Sequence, residues 1–150
     1  MEVRDVMRKK AYTISPDTTL REVVRILVKK DISGVVVVDE NKKVIGIVSE
    51  KDVYRTIYPS YSEFYNSPEI FTDYKKQEDE IKSKGEILAK DFMTTNVLTV
   101  DPKEAVMKVG ATMLARNIHR LPVVDEQGKL VGIITRGRIY HSLFKKKLGL

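Results

Sequence analysis

The sequence predicts a mixed α/β fold (α+β in character) made of two related β-α-β-β-α repeats. Three observations predict it: a duplication that spans most of the chain, helix-type apolar periodicity in each copy, and two valine-rich or leucine-rich runs after each helix. At 150 residues the chain is long enough for two small units that share a core. We therefore expect the two copies to be related by a pseudo-two-fold axis and packed sheet to sheet.

The duplication is visible when the chain is compared with itself. Pro16 and Pro102 lie 86 residues apart, and the same offset aligns the two halves without a gap. At this offset Val37–Glu40 meets Val123–Glu126, with the same four residues in both copies. A register held over so long a stretch indicates a duplication.

The residue pattern predicts the same first two elements in each copy, an extended segment and a helix. A short extended segment, at Ala11–Ser15 or Val97–Val100, is followed by a proline, which disfavours helix in the residue before it. An amphipathic helix comes next, because apolar residues recur at i, i+3, i+4 and i+7 or at part of that spacing. These residues are Leu20, Val23, Val24 and Leu27 in the first copy, and Val106, Val109 and Met113 in the second.

Two strands and a last helix complete each copy. Continuous rather than alternating apolar runs predict strands that are covered on both faces, and polar turns between them predict hairpins. The strands are Val35–Val38 and Val44–Val48, then Leu121–Val124 and Leu130–Ile134, with turns at Glu40–Lys43 and Glu126–Lys129. The last helices are expected to follow Ser49 and Thr135.

We expect a first repeat at residues 1–58, a partly helical connector at 59–86 and a second repeat at 87–150. Two interpretations of the connector's aromatic residues remain open. They pack on the core as part of an ordered excursion, or they form a surface for a partner, because exposed aromatic clusters mark interaction sites. The residues concerned are Tyr61, Phe64, Tyr65, Phe71 and Tyr74.

Composition narrows the function classes. The net charge of +6 is uneven, since residues 58–86 hold seven acidic residues against four lysines, and the basic remainder attracts anions of any kind. With no cysteine there is no disulfide or thiolate site. The N-terminus is too polar for a signal peptide, and no apolar run approaches the roughly 20 residues of a membrane span. We therefore expect a cytoplasmic protein that does not associate with a membrane.

The Ser49-x-x-Asp52 pattern has two physical interpretations. It is close to a capping box, in which both side chains satisfy the helix's own amides. At the start of a helix the free amides and the dipole also favour a phosphate, and Asp52 is able to accept from both hydroxyls of a ribose. The two roles are compatible if capping belongs to the empty state. In the second copy Arg138 replaces the aspartate and offers only donors.

The two copies resemble cystathionine-β-synthase-type (CBS) domains. The first copy carries the resemblance in Asp5–Met7, Thr13–Pro16 and Gly46–Asp52, and the second in Asp91–Met93 and Gly132–Thr135. The resemblance covers nearly everything outside the connector. It implies a regulatory module that binds an adenosyl ligand in clefts between the two repeats and that commonly pairs into a disk-like homodimer.

The run Asn117–Asp125 closely resembles the second CBS domain of the AMP-activated protein kinase gamma subunits. There a His-Arg pair reaches the phosphate of a nucleotide whose ribose is held by the aspartate of the first domain. Val97 and Leu98 are expected to line the adenine. Carried over by position, the implied ligand-binding residues are Ile47, Ser49, Lys51, Asp52, Val97, Leu98, His119 and Arg120. A solvated strand start without a ligand remains the alternative for His119 and Arg120.

Two departures from that relative matter for the phosphate. Ser33-Gly34 stands where it has a basic residue, and Gly137 replaces a lysine, which leaves Arg136 as a possible substitute. A second, weaker cleft is implied by the duplication. Its residues are Ala11, Tyr12, Ile133, Thr135 and Arg138.

These observations predict a module that senses an adenine nucleotide (AMP, ADP or ATP) and signals to a protein effector of unknown identity. No catalytic group can be assembled, no cofactor is required, and two histidines are too few for a histidine metal cluster. The alternatives are a ligand-independent dimerisation or scaffold module, S-adenosylmethionine binding, and nucleic-acid binding. The last is disfavoured because the interleaved exposed aromatics of single-strand binders are missing.

Overall fold

A computed structural model describes residues 1–58, 66 and 74–150. The predicted fold class, a mixed α/β fold of two β-α-β-β-α repeats, is confirmed. The elements of the first repeat are α1 (Val3–Val6), β1 (Thr13–Ile14), α2 (Leu20–Lys30), β2 (Gly34–Val38), β3 (Val44–Ser49) and α3 (Glu50–Ile57). Those that follow are α4 (Tyr74–Ser83), α5 (Ala89–Phe92), α6 (Val106–Ala115), β4 (Arg120–Val124), β5 (Leu130–Thr135) and α7 (Arg136–Leu148).

The two repeats differ in their first strand. In the first repeat β1 pairs in parallel with β2, and the sheet order is β1-β2-β3. The second repeat has only the antiparallel pair β4-β5, and the predicted strand Val97–Val100 is reduced to one parallel bridge between Val100 and Val123. A ladder that continued towards Leu98 needs the N–H of residue 122, which is a proline and has none.

The chain divides into two compact units that do not coincide with the repeats. Unit 1 comprises residues 1–12, 38–45 and 96–150, and unit 2 comprises residues 13–37 and 46–95. The repeat boundaries predicted above are therefore a statement about sequence, and they remain a prediction. Unit 1 holds most of the second repeat but also contains α1 of the first, and unit 2 holds most of the first repeat but also contains α5 of the second.

The core of unit 1 is apolar and closely packed around α6. Val3 and Val6 of α1 are fully buried in it, where they join residues of α6, β4, β5 and α7. In unit 2 the apolar face of α2 is buried, as its spacing predicts, together with the valine run of β2. Both units thus bury the helix faces that the apolar periodicity identifies, and β2 and β4 are covered on both faces as predicted. The prediction is wrong for β3 and β5, in which only alternate residues are buried.

The hairpin turns of the two repeats are built alike. The carboxylate of Asp39 accepts from the N–H groups of Asn41 and Lys43, and that of Asp125 accepts from Gln127 and Lys129. Both predicted turns are therefore confirmed. None of the helices in the described ranges combines the length and the apolar character that crossing a bilayer requires.

The aromatic residues of the connector mostly lie outside the described residues. This holds for Tyr61, Phe64, Tyr65 and Phe71, while Tyr74 is described only as the first residue of α4. The two interpretations of this cluster thus stay predictions.

Candidate functional site

A buried carboxylate lies at the start of α3. Asp52 is only 5% exposed, although it is in the first turn of a helix. Its Oδ2 accepts from the backbone N–H of Ser49 at 2.8 Å and from the Ser49 hydroxyl at 3.1 Å. Together the two residues form a capping box, so the capping interpretation of the Ser-x-x-Asp pattern is confirmed for this state.

A third donor reaches Asp52 from a distant part of the chain. The hydroxyl of Thr94 donates to Asp52 Oδ1 at 2.9 Å. Arg55 lies on the same helix with its Nη1 3.7 Å from Oδ1, which is too long for a hydrogen bond. The carboxylate is therefore satisfied mainly by neutral donors in fixed positions, as a buried charged group requires.

Thr94 is positioned by the strand that precedes Asp52. Its N–H donates to the carbonyl of Ile47 at 2.9 Å, and its carbonyl accepts from the N–H of Ile47 at 3.0 Å. Next to it, Met93 packs on Gly46 so closely that a Cβ there would lie 2.5 Å from Met93 Sδ. The glycine that the sequence marks for close approach is thus covered by this methionine.

A cavity of about 430 Å³ opens beside this carboxylate within unit 2. Asp52 and Thr94 both line it. The other lining residues are Arg55, Thr56, Ile87, Asp91, Phe92 and Met93. The wall is therefore mainly polar, with an apolar part formed by Ile87, Phe92 and Met93.

The equivalent corner of the second repeat, where the end of β5 and the start of α7 meet residue 8, has the same backbone hydrogen bonds and different side chains. Arg8 pairs with Ile133 through two backbone hydrogen bonds of 2.8 and 2.9 Å, as Thr94 pairs with Ile47. Thr135 caps α7 by accepting from the N–H of Arg138. The Nε–H of Arg138 donates a hydrogen bond to the carbonyl of Val6, with 2.7 Å between the nitrogen and the oxygen. The second corner thus has a guanidinium where the first has a carboxylate.

His119 and Arg120 lie at the start of β4 in unit 1. His119 is exposed, and its Nδ1 is 2.9 Å from Nη2 of Arg136, the first residue of α7. A backbone bond from the Arg136 N–H to the His119 carbonyl, 3.0 Å long, fixes the same pair. Arg136, which the sequence suggests as a substitute cation, is therefore held beside His119.

The structure groups the predicted site residues by unit. Ile47, Ser49 and Asp52 come together in unit 2, with Lys51 exposed on the first turn of α3. The remaining predicted residues lie in unit 1: Val97, Leu98, His119 and Arg120 of the main set, and Ala11, Tyr12, Ile133, Thr135 and Arg138 of the weaker set. Their ligand contacts remain predictions.

The sequence did not identify Thr94. It follows Asp91-Phe92-Met93, which aligns with Asp5-Val6-Met7, but its own counterpart is Arg8, so the duplication gives it no signal. The contact with Asp52 joins residues 42 positions apart and depends on the exchange of segments between the repeats.

Comparison with known proteins identifies both repeats. The family model for the CBS domain matches residues 3–58 and 89–145. Over 155 aligned positions the chain is 33% identical to the uncharacterised protein MJ1426 of Methanocaldococcus jannaschii, with 95% of this chain and 91% of that protein covered.

Two solved structures of CBS pairs are similar along nearly the whole chain. The complex of CBSX2 with AMP matches with a TM-score of 0.75 at 27% identity, covering 97% of this chain and 98% of that one. The CBS pair of protein MJ0100, in complex with 5′-methylthioadenosine and S-adenosylmethionine, matches with a TM-score of 0.71 at 26% identity, covering 98% of each chain.

Proposed function

The chain belongs to the CBS domain family, and on this premise we propose that it is a regulatory module that senses an adenine nucleotide of the AMP, ADP or ATP class. Structures of two similar CBS pairs support a ligand that contains adenosine: one is a complex with AMP, the other with 5′-methylthioadenosine and S-adenosylmethionine. We assign the chain no catalytic role and no required cofactor. The protein effector and a cytoplasmic location are expectations from the sequence.

The observation that carries the proposal is the buried Asp52 carboxylate beside a cavity of about 430 Å³. An ionised carboxylate accepts hydrogen bonds only, and a ribose presents hydroxyl donors. The cavity belongs to one compact unit, and Ile87, Phe92 and Met93 give it an apolar part on which a nucleoside base can pack. We therefore assign Asp52 to the ribose.

The other proposed contacts follow the family resemblance. Val97 and Leu98 are assigned to the adenine, and Ser49, His119 and Arg120 to the phosphate. Ile47 and Lys51 complete the proposed set. Ala11, Tyr12, Ile133, Thr135 and Arg138 are assigned to the weaker second site. That site is expected to bind poorly because Arg138 has no acceptor and its Nε already donates to a backbone carbonyl.

The proposal is tested by thermal unfolding of the wild type and of Asp52→Ala and Arg138→Ala with AMP, ADP, ATP and S-adenosylmethionine. A bound ligand at about 100 times its Kd stabilises the wild type by about 2.7 kcal/mol. Asp52→Ala is expected to lose this stabilisation because the ribose acceptor is gone, while Arg138→Ala keeps it.

Melting of both variants without ligand is the control. Asp52→Ala also removes the capping box, so only the difference between free and ligand-bound melting reports on binding. If none of the four compounds at millimolar concentration shifts the wild type, the nucleotide proposal is wrong. A shift with S-adenosylmethionine alone favours that ligand, and salt-sensitive binding to DNA or RNA favours the nucleic-acid alternative.

We also propose that the chain forms a homodimer. Four exposed aromatic residues support this, because the last helix of each repeat carries two of them at equivalent positions, one turn apart. They are Tyr54 on α3 and Tyr58 at its C-cap, and Tyr140 and Phe144 on α7, each between 48% and 61% exposed. Exposed apolar clusters are typical of protein interfaces. A dimer that is indifferent to every nucleotide would favour the scaffold alternative.

A further inference from the structure

The Asp52 carboxylate has few acceptor positions left for a ligand. A carboxylate offers about four positions in all. On Oδ2 both are taken by the N–H and the hydroxyl of Ser49, and on Oδ1 one is taken by the hydroxyl of Thr94. A cis-diol donates two hydrogen bonds. With its three protein donors in place, the carboxylate can therefore accept only one of the two.

Thr94 has the missing acceptor. Its hydroxyl donates its hydrogen bond to Asp52, and the lone pairs of the same oxygen can still accept hydrogen bonds. Thr94 Oγ1 and Asp52 Oδ1 are 2.9 Å apart, a spacing comparable to that of the two oxygens of a vicinal cis-diol. Both residues line the cavity of about 430 Å³, so the pair borders a single space of ligand size.

The Thr94 hydroxyl is held in place before any ligand arrives. Two backbone hydrogen bonds to Ile47 fix its main chain, and the bond to Asp52 fixes its side chain. Acceptors that are positioned in advance lose little entropy on binding. The equivalent corner of the second repeat has Arg8 and Arg138, neither of which can accept a hydrogen bond.

We infer that Asp52 Oδ1 and Thr94 Oγ1 accept one hydroxyl each of a ribose cis-diol, which makes Thr94 a specificity-determining residue for ribose over deoxyribose. This inference rests on the proposed adenine-nucleotide function and adds a selectivity to it. The N–H of Ser49 keeps Oδ2 in place and Thr94 completes the diol site, so the hydrogen bonds from these two groups to Asp52 survive binding.

The test is isothermal titration of AMP, 2′-deoxy-AMP and 3′-deoxy-AMP into the wild type, Thr94→Val and Thr94→Ser. The wild type is expected to bind AMP about tenfold more tightly than either deoxy analogue, the loss that one hydrogen bond explains. Thr94→Val lowers the affinity for AMP about tenfold, because the acceptor position that it frees on Asp52 Oδ1 lies 2.9 Å from the place of the lost Oγ1. It leaves unchanged the affinity for the analogue that lacks the hydroxyl bound by Thr94, and Thr94→Ser restores the wild-type pattern.

Thr95→Val is the matched control, since it removes the hydroxyl of the neighbouring exposed threonine, and it is expected to behave as wild type. Equal weakening of all three ligands by Thr94→Val, or wild-type affinities that do not distinguish AMP from both analogues, overturns the assignment of Thr94 and leaves the proposed function intact. The comparison of AMP with the two analogues uses the wild type alone, so it does not depend on whether a variant folds. A wild type that binds none of the three overturns the proposed function and this assignment together.

Discussion

At the scale of single residues, Asp52 and Arg138 occupy equivalent positions in the two repeats but require opposite kinds of hydrogen-bond partner. Asp52 needs donors and finds them in Ser49 and Thr94, whereas Arg138 needs an acceptor and finds the Val6 carbonyl. In each corner the partner comes partly from the other repeat. The sequence predicts the asymmetry from the residue types alone, but the partners become visible only in the structure.

The two glycines next to these corners are predicted to differ in their tolerance of a methyl group. A Cβ on Gly46 would meet mainly the flexible Met93 side chain, but one on Gly132 would lie 2.8 Å from the Arg8 carbonyl, which is hydrogen-bonded to Ile133. Gly132→Ala is therefore expected to lower the free energy of unfolding by about 2–3 kcal/mol, and Gly46→Ala by about 1 kcal/mol. Urea unfolding monitored by circular dichroism measures both. Equal losses would contradict this account.

At the scale of secondary-structure elements, the two repeats share helix positions but not helix caps. Thr19 starts α2 and accepts from the N–H of Glu22 at 3.3 Å. The equivalent residue at the start of α6 is Ala105, which is exposed and has no side chain to cap with. Both residues have extended backbone angles, so the geometry for a cap exists at both positions.

Exchange of these two residue types gives a matched pair of predictions. Thr19→Ala is expected to lower the free energy of unfolding by about 1 kcal/mol, because an N–H of the first turn loses its acceptor. Ala105→Thr is expected to raise it by about 0.5–1 kcal/mol for the opposite reason. Urea midpoints of the wild type and the two variants provide the measurement. Destabilisation by Ala105→Thr would show that α6 does not begin as described.

The order and the approximate bounds of the strands and of the longer helices in the two repeats were predictable from sequence, but the four-residue helices α1 and α5 were not predicted. Apolar periodicity located α2 and α6, and continuous valine runs located the strands, because both patterns are local. The loss of the first strand in the second repeat was not predicted. It comes from Pro122, whose effect depends on which strand would have paired with it.

At the scale of the whole molecule, compact units and sequence repeats follow different boundaries. Residues 1–12 belong to the unit that contains most of the second repeat, and residues 87–95 belong to the other. Val3 and Val6 are buried in the core of unit 1, so a fragment cut at the repeat boundary would leave that core incomplete. The two sequence repeats therefore do not coincide with the two compact units of the structure.

The proposed homodimer gives a prediction at this scale. Replacement of Tyr140 and Phe144 by serine is expected to weaken self-association at least tenfold, since each exposed ring buries apolar surface in an interface. Sedimentation equilibrium over a range of concentrations measures the dissociation constant. Ile81→Ser, which removes an exposed apolar residue from α4, is the control. A wild type that remains monomeric at high concentration would refute the dimer.

The sequence by itself determined the duplication, the order of the longer helices and of the hairpin strands, the family resemblance and the residue types at the Ser-x-x-Asp and Thr-x-x-Arg positions, because these are properties of local pattern and spacing. Only the tertiary structure decided that Asp52 is buried, that Thr94 donates to it and that each repeat contributes a segment to the other's unit. The physical reason is that hydrogen-bond partners distant in sequence are chosen by how the chain packs.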